Sequence, residues 1–339
     1  MPTFEHIAMQ QVKRSKPHTL SSIFVAIPPG FFAISMGIVG LAAVWRWAAL
    51  LYGWPIGMSN VLYLIAALVY IVLIIALVTR IVFATSTVRS ELTHPSVAPF
   101  YSLFPISGML LSFGLEPYAF DVARVFFIIF FVGTLLFGGW ITGQWIVDES
   151  GTDAIHPGYF FPTVTGGLVG ADGAGRFGFI QWGWMSFGIG MICWLVLSSI
   201  ILNRFFMHMH LPVVFIPTLA IEIAPPAVAG DAYFTLTSQH IDIIAYILAG
   251  YTILMALVQL RLFLLYRTLP FSASFWAFAF PYAATASYLL RWMYIERMQG
   301  AAIFCAVVVI VISLFIGGIA LRSLIELRRG AFIPMPVPT

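Results

Sequence analysis

The chain has 339 residues, 61% of them hydrophobic and only 9% charged, with a formal net charge of +3. Soluble domains carry roughly 25% charged residues, so this composition excludes a soluble catalytic domain and describes an all-α polytopic membrane protein whose first partner is the lipid bilayer. So small a net charge says nothing of partners, no nucleic-acid partner is expected, and the two cysteines, Cys193 and Cys305, stand apart in apolar runs with no metal or redox spacing.

Residues 1–20 read as a polar tail ahead of a first apolar run that is long and lacks a cleavage site, so no removable signal peptide is expected. Ten apolar segments follow, at about 23–51, 59–83, 98–116, 121–147, 158–171, 178–203, 211–236, 241–266, 271–292 and 300–325. They make 21–326 a membrane domain and leave 327–339 as a second tail. A straight span needs about 20 residues. The fifth segment is shorter, follows His156-Pro157 and contains Pro162, so part of it is expected to be irregular. With the N-terminus inside, cytoplasmic segments hold Lys13, Arg14, Lys16, Arg80, Arg89, Arg204, Arg267, Arg322, Arg328 and Arg329, and the other side holds Arg46, Arg124, Arg176, Arg291 and Arg297. Arg261, near a helix end, belongs to neither set. The excess of basic residues places both termini in the cytoplasm.

None of the 20 prolines falls in an even-numbered segment. The odd segments or their beginnings carry helix-breaking candidates Pro29, Pro105, Pro162, Pro217, Pro226 and Pro281, with aromatic residues beside them. The pattern is a broken helix followed by a smooth one, a unit of about 60 residues repeated five times. In lipid a smooth helix satisfies its own backbone, whereas broken backbone must be buried in protein or face water. The pattern therefore predicts five broken helices around an axis and five smooth ones outside. Candidates to line a path along that axis are Phe31, Phe104, Phe160, Phe215, Ala273, Ala277, Ala284 and Ser287.

The stretch 271–290 carries the sharpest feature. Pro281 lies near its middle, where it would free the Ala277 carbonyl and bend the helix. The helical face through Phe280 is otherwise small: Ala273, Ala277, Ala284 and Ser287. One large ring among small residues suits an apolar plug in a narrow path. It equally suits a close helix contact, where small residues let backbones approach.

Glu222 is the clearest ionisable group inside a span and a candidate for proton coupling. Satisfaction by the broken backbone around Pro225-Pro226 is the plainer alternative. Asp172 and Asp231 fall near predicted outer ends, where solvation is expected. His94, His156 and His210 each precede an odd segment, so a shared metal is conceivable, but nothing accompanies them at ligand spacing, and a structural use is the simpler reading. Gly166, Gly167, Gly170 and Gly173 lack a phosphate-loop pattern and suit close helix packing. There is no nucleophile triad or zinc-protease motif, so no enzyme, metal or cofactor is indicated. The odd segments hold few cations, so passing anions would be held weakly, by backbone N–H groups and helix ends, and weakly hydrated ions such as nitrate should enter at least as readily as chloride.

Several short motifs, in order, resemble the tellurite-resistance/dicarboxylate transporter family, which includes a bacterial tellurite-resistance channel and the slow anion channel of plant guard cells. They are Pro28-Pro29-Gly30-Phe31-Phe32, His156-Pro157 before Phe160-Phe161-Pro162, Ala224-Pro225-Pro226-Ala227, Gly250-Tyr251 leading to Leu260-Arg261-Leu262-Phe263, Trp276-Ala277-Phe278-Ala279-Phe280, and Arg329-Gly330-Ala331-Phe332. The resemblance implies ten transmembrane helices as five hairpins in a quasi-five-fold arrangement around a central pore, assembled as a homotrimer in the bacterial inner membrane. It implies conduction of small monovalent anions, with the phenylalanine matching Phe280 occluding the pore. The family's transporter members and Glu222 keep open a proton-linked carrier of C4-dicarboxylates, sulfite or tellurite.

Overall fold

The computed structural model describes residues 20–147, 154–207 and 211–333. Apart from Leu20, the tail expected at 1–20 lies outside the described residues, as do His210 and residues 334–339 of the second tail. Among the described residues there are twelve α-helices and no strand: α1 (Leu20–Val25), α2 (Phe32–Tyr52), α3 (Ile56–Phe83), α4 (Thr85–Thr93), α5 (Leu103–Leu115), α6 (Phe120–Val147), α7 (Gly166–Arg176), α8 (Ile180–Met207), α9 (Ala224–Leu236), α10 (Ile243–Tyr266), α11 (Ala279–Ile295) and α12 (Ala301–Arg328).

Two kinds of helix alternate. The long ones, α3, α6, α8, α10 and α12, run unbroken for 24 to 28 residues. Each shorter one is entered through tighter or wider turns: Pro29–Phe31 before α2, Ala98–Ser102 before α5, Pro157–Tyr159 and the π-turn Phe161–Thr165 before α7, Val213–Ile223 before α9, and Ala273–Phe278 before α11. Proline explains where those turns sit, with one correction. Pro105, Pro226 and Pro281 are each the third residue of their α-helix, where a missing N–H costs no intrahelical bond. Pro29 and Pro162 open turns and Pro217 lies within one. The expected mid-span kink at Pro281 is therefore a helix start, and the irregular backbone lies on its N-terminal side.

Eight helical stretches among the described residues are long and apolar enough to cross a bilayer. In the long helices only 28% of the central stretch is buried, against 56%, 78% and 67% for the stretches Pro29–Tyr52, Ala98–Leu115 and Val213–Leu236. The shorter helices pack on one another in a closed circuit, α2 on α5, α5 on α7, α7 on α9, α9 on α11 and α11 back on α2. Each long helix packs on the short one it follows.

Side chains of the long helices complete the backbone of the short ones, as an apolar solvent demands. The Tyr70 hydroxyl donates to the Phe104 carbonyl at 3.0 Å, and the Ser186 hydroxyl to the Gly167 carbonyl at 2.7 Å. Gln259 donates to the Leu219 carbonyl at 3.0 Å, while its own carbonyl accepts from the Tyr266 and Tyr282 hydroxyls at 2.9 and 3.0 Å. Arg80 donates to the carbonyls of Val25 and Ile27 at 2.6 and 3.1 Å and pairs with Glu91.

The Gly-rich run at 166–173 is helix, not loop. A Cβ on Gly167 would stand 2.8 Å from the Gly190 nitrogen and 2.9 Å from its Cα, so α7 and α8 touch backbone to backbone. Gly167→Leu should force them apart and lower stability by about 1–3 kcal/mol, the usual scale of overpacking, read as a fall in the melting temperature of the detergent-purified protein. Gly188→Leu is the control: nothing lies within 4 Å of a Cβ there, and the melting temperature should hold.

Candidate functional site

The short helices wall two cavities, one lined by their opening turns and one by their later residues. The turn-side cavity, about 550 Å³, is lined by residues from all five opening regions, among them Pro29, Phe31, Phe100, Phe161, Phe215, Ala273 and Ala277. The end-side cavity, about 330 Å³, is lined by later residues of the same five helices, among them Gly40, Leu110, Val169, Val228, Phe280, Ala284 and Ser287.

The segment from Ala273 to Ser287 touches both. Ala273 and Ala277 line the turn-side cavity, and Phe280, Ala284 and Ser287 line the end-side one. Phe280 thus lines the end-side cavity one turn after Ala277, which lines the turn-side one. It is 8% exposed. Its room comes from α2: a Cβ on Gly40 would lie 2.9 Å from the Ala283 Cβ and 3.4 Å from the Phe280 ring. Phe278, two residues earlier, lines neither cavity. It packs with Tyr266, Phe275, Tyr282 and Phe315, at ring separations of 4.8 to 6.3 Å.

The other candidates divide. Phe31 and Phe215 line the turn-side cavity. Phe104 and Phe160 line neither: Phe104 packs among Phe32, Tyr70 and Phe130, and Phe160 is fully buried. An aromatic beside a proline does not reveal which way a 3₁₀ or π-turn rotates it. Glu222 lies in the opening turns of α9, half-buried, with one carboxylate oxygen buried and without a hydrogen-bond partner, and it too lines neither cavity.

The expectation of a path poor in fixed charge needs correction. Arg46, Glu116, Asp172, Arg176 and Asp231 all line the end-side cavity. Nor are Asp172 and Asp231 simply solvated. Arg176 reaches Asp172 at 3.0 Å and Glu116 at 3.6 Å, Thr235 donates to Asp172 at 2.5 Å, and Arg291 holds Asp231 at 3.1 Å while stacking on Trp47. In sequence these residues read as ends of spans; the inner helices are short, so their ends lie inside the protein. Phe332 was also missed as a lining residue. The chain turns at Gly330 (φ 68°) and brings the Phe332 ring to 5.4 Å from Phe31, at the wall of the turn-side cavity.

A profile described as voltage-dependent anion channel, SLAC1, matches residues 26–324. The chain is 28% identical to the tellurite resistance protein TehA homolog of Haemophilus influenzae, over 94% of this chain and 97% of that one. It is 24% identical to an uncharacterized transporter of Methanocaldococcus jannaschii over 76% of this chain and 80% of that one. It is 23% identical to the S-type anion channel SLAH3 of Arabidopsis thaliana, over 88% of this chain and 48% of the plant protein.

Among the described residues no three His, Cys, Asp or Glu side chains are grouped to hold a metal ion. His94 is exposed and accepts from the Ser96 N–H at 3.2 Å. His156, just ahead of the turns that open α7, ties three openings together. Its ring stacks between Phe100 and Phe215 at 5.4 and 4.5 Å. Its Nδ1 accepts from the Gly158 N–H at 3.1 Å, so the proton sits on Nε2, which donates to the Ser96 carbonyl at 2.9 Å. Burial favours the neutral ring and lowers its pKa to about 4. The unfolded chain then binds a proton that the folded chain refuses, and stability present above the ordinary pKa near 6.5 is lost as pH falls toward about 4. The melting temperature should accordingly drop between pH 7 and pH 4.5, and His156→Asn should lose part of that slope.

Proposed function

The chain belongs to the voltage-dependent anion channel family, and on that premise we propose that it is a gated channel for small monovalent anions, closed by Phe280. The observation that supports this reading is that Phe280 lines the end-side cavity one turn from Ala277, which lines the turn-side cavity, and that all five short helices contribute to both. An apolar ring there stops ions by excluding the water they carry, and the small side chains on either side give the path its width when the ring moves.

The architecture proposed with it is ten spans, α7 and α11 with their turns completing the eight apolar stretches, arranged as five hairpins in quasi-five-fold symmetry about the path. The closed packing circuit and the greater exposure of the long helices support it. The protein would sit as a homotrimer in a bacterial inner membrane, with the turn-side cavity and both termini toward the cytoplasm, as the bias of basic residues suggests.

A proton-linked carrier of C4-dicarboxylates, sulfite or tellurite is the second reading, favoured by the unpartnered oxygen of Glu222. That carboxylate lines neither cavity, which supports the channel instead.

Planar-bilayer recording without a pH gradient separates the two. Phe280→Ala should raise anion conductance at least tenfold over a low wild-type level while expression and oligomeric state hold. Phe278→Ala removes an aromatic core contact, so it should cost about 3–5 kcal/mol of stability and open nothing. Glu222→Gln in the Phe280→Ala background should leave the current within twofold; loss of all flux in a well-folded protein would select the carrier. Nitrate should pass at least as readily as chloride, measured from bi-ionic reversal potentials.

A further inference from the structure

We propose that the end-side cavity contains an anion-binding site built on Arg46, which takes a small monovalent anion such as nitrate or chloride before it meets Phe280. The proposal deepens the channel reading and rests on it for its purpose, though not for its geometry. Arg46 lies six residues beyond Gly40 on α2, about 9 Å along the helix at 1.5 Å per residue, and Gly40 is the residue against the Phe280 ring.

Three features single this arginine out. First, its guanidinium is held in place by neutral partners. Nε donates to the Ser59 hydroxyl at 3.3 Å and Nη2 to the Asn60 carbonyl at 3.1 Å, while the group stacks 4.8 Å from the Tyr63 ring centre. None of these cancels its charge. Second, the remaining nitrogen, Nη1, is buried and has no hydrogen-bond partner in the protein, although the residue as a whole is only 8% exposed. An ionised N–H without an acceptor at such a depth is costly, and the field of a small anion in the cavity whose wall Arg46 helps form offsets part of that cost. Third, each carboxylate at the cavity is already held by another arginine, three carboxylates by two arginines. Arg176 takes Asp172 and Glu116, and Arg291 takes Asp231. Among the described residues Arg46 makes no salt bridge, so it is the arginine at this cavity wall without a carboxylate of its own.

The chemistry selects the ligand. A planar guanidinium presents parallel N–H donors that suit a planar oxyanion, and a halide can take one of them. The nearby carboxylates of Glu116, Asp172 and Asp231 oppose a second negative charge, so monovalent anions are favoured over divalent ones. One fixed charge balanced by such neighbours gives modest affinity, which lets a conducted ion leave again.

The alternative is that Arg46 only staples the start of α3 to α2. Titration of purified wild-type protein with sodium nitrate, replacing sodium gluconate at constant ionic strength, distinguishes them with melting temperature as the readout. Nitrate should stabilise the wild type saturably, Arg46→Gln should abolish the response, and Arg46→Lys should weaken the half-saturating concentration at least threefold. Arg124→Gln removes the same charge from a residue that stacks on Phe179 and lines neither cavity, and should leave the nitrate response intact. Identical nitrate titrations for wild type and Arg46→Gln overturn the site; should Arg46→Gln not fold, an unchanged half-saturation in Arg46→Lys overturns it equally. In the Phe280→Ala background, Arg46→Gln should also lower anion-over-cation permeability at least threefold. The titration needs no conduction, so the two readings fail separately. A silent Phe280→Ala protein that still binds nitrate through Arg46 sinks the channel and keeps the site. A conducting one without an Arg46-dependent response does the reverse.

Discussion

Everything in this molecule follows from the need to pair backbone N–H and C=O groups where no water can do so. A continuous α-helix meets the need alone, which is why α3, α6, α8, α10 and α12 tolerate exposure over most of their length. The proline-rich turns cannot, so the chain folds them inward and completes them from outside. Tyr70, Ser186 and Gln259, each on a long helix, donate to carbonyls of the short helices or their turns. The outer helices are therefore more than a sheath against lipid, because their few polar side chains hold the inner backbone in shape.

Shortness has an electrostatic consequence. An inner helix whose first part is turns reaches its C-terminal end while still enclosed by neighbours, so charged residues toward the ends of α2, α5, α7 and α9 converge on one cavity. Enclosure then forces them into pairs, and aromatic faces add to the pairing: Arg176 lies over Phe113 and Trp47, and Arg291 over Trp47 and Phe234. The end-side cavity is consequently a nearly balanced set of charges, while the turn-side cavity is walled chiefly by aromatic and small residues. The two ends of the proposed path thus present different chemistry to an ion.

Close helix contact and cavity lining are not competing uses of small residues here. Gly37 and Gly40 bring α2 hard against α11, with Ala279 and Ala283 in the contact, while Ala277 lines the turn-side cavity and Ala284 and Ser287 line the end-side one. One helix carries a packing edge and a lining edge at once. Phe280 sits at the boundary between them, supported by α2 and turned toward the cavity.

The sequence by itself determined the class of protein, the alternation of broken and smooth helices, and the family, because hydropathy and proline act locally and leave a mark at each position. It also singled out Phe280 as one ring in a stripe of small residues, and that ring lines the end-side cavity. Which way the other aromatics point was decided only in three dimensions. A 3₁₀ or π-turn changes the rotation per residue, so no helical count carries Phe104 or Phe160 to its true neighbours, and the same shift moves Pro281 from mid-helix to helix start. Nor could the sequence tell an exposed loop arginine from Arg46 or Arg176, because burial at a helix end depends on how far the surrounding helices extend, and that length belongs to the packed assembly, not to any one segment.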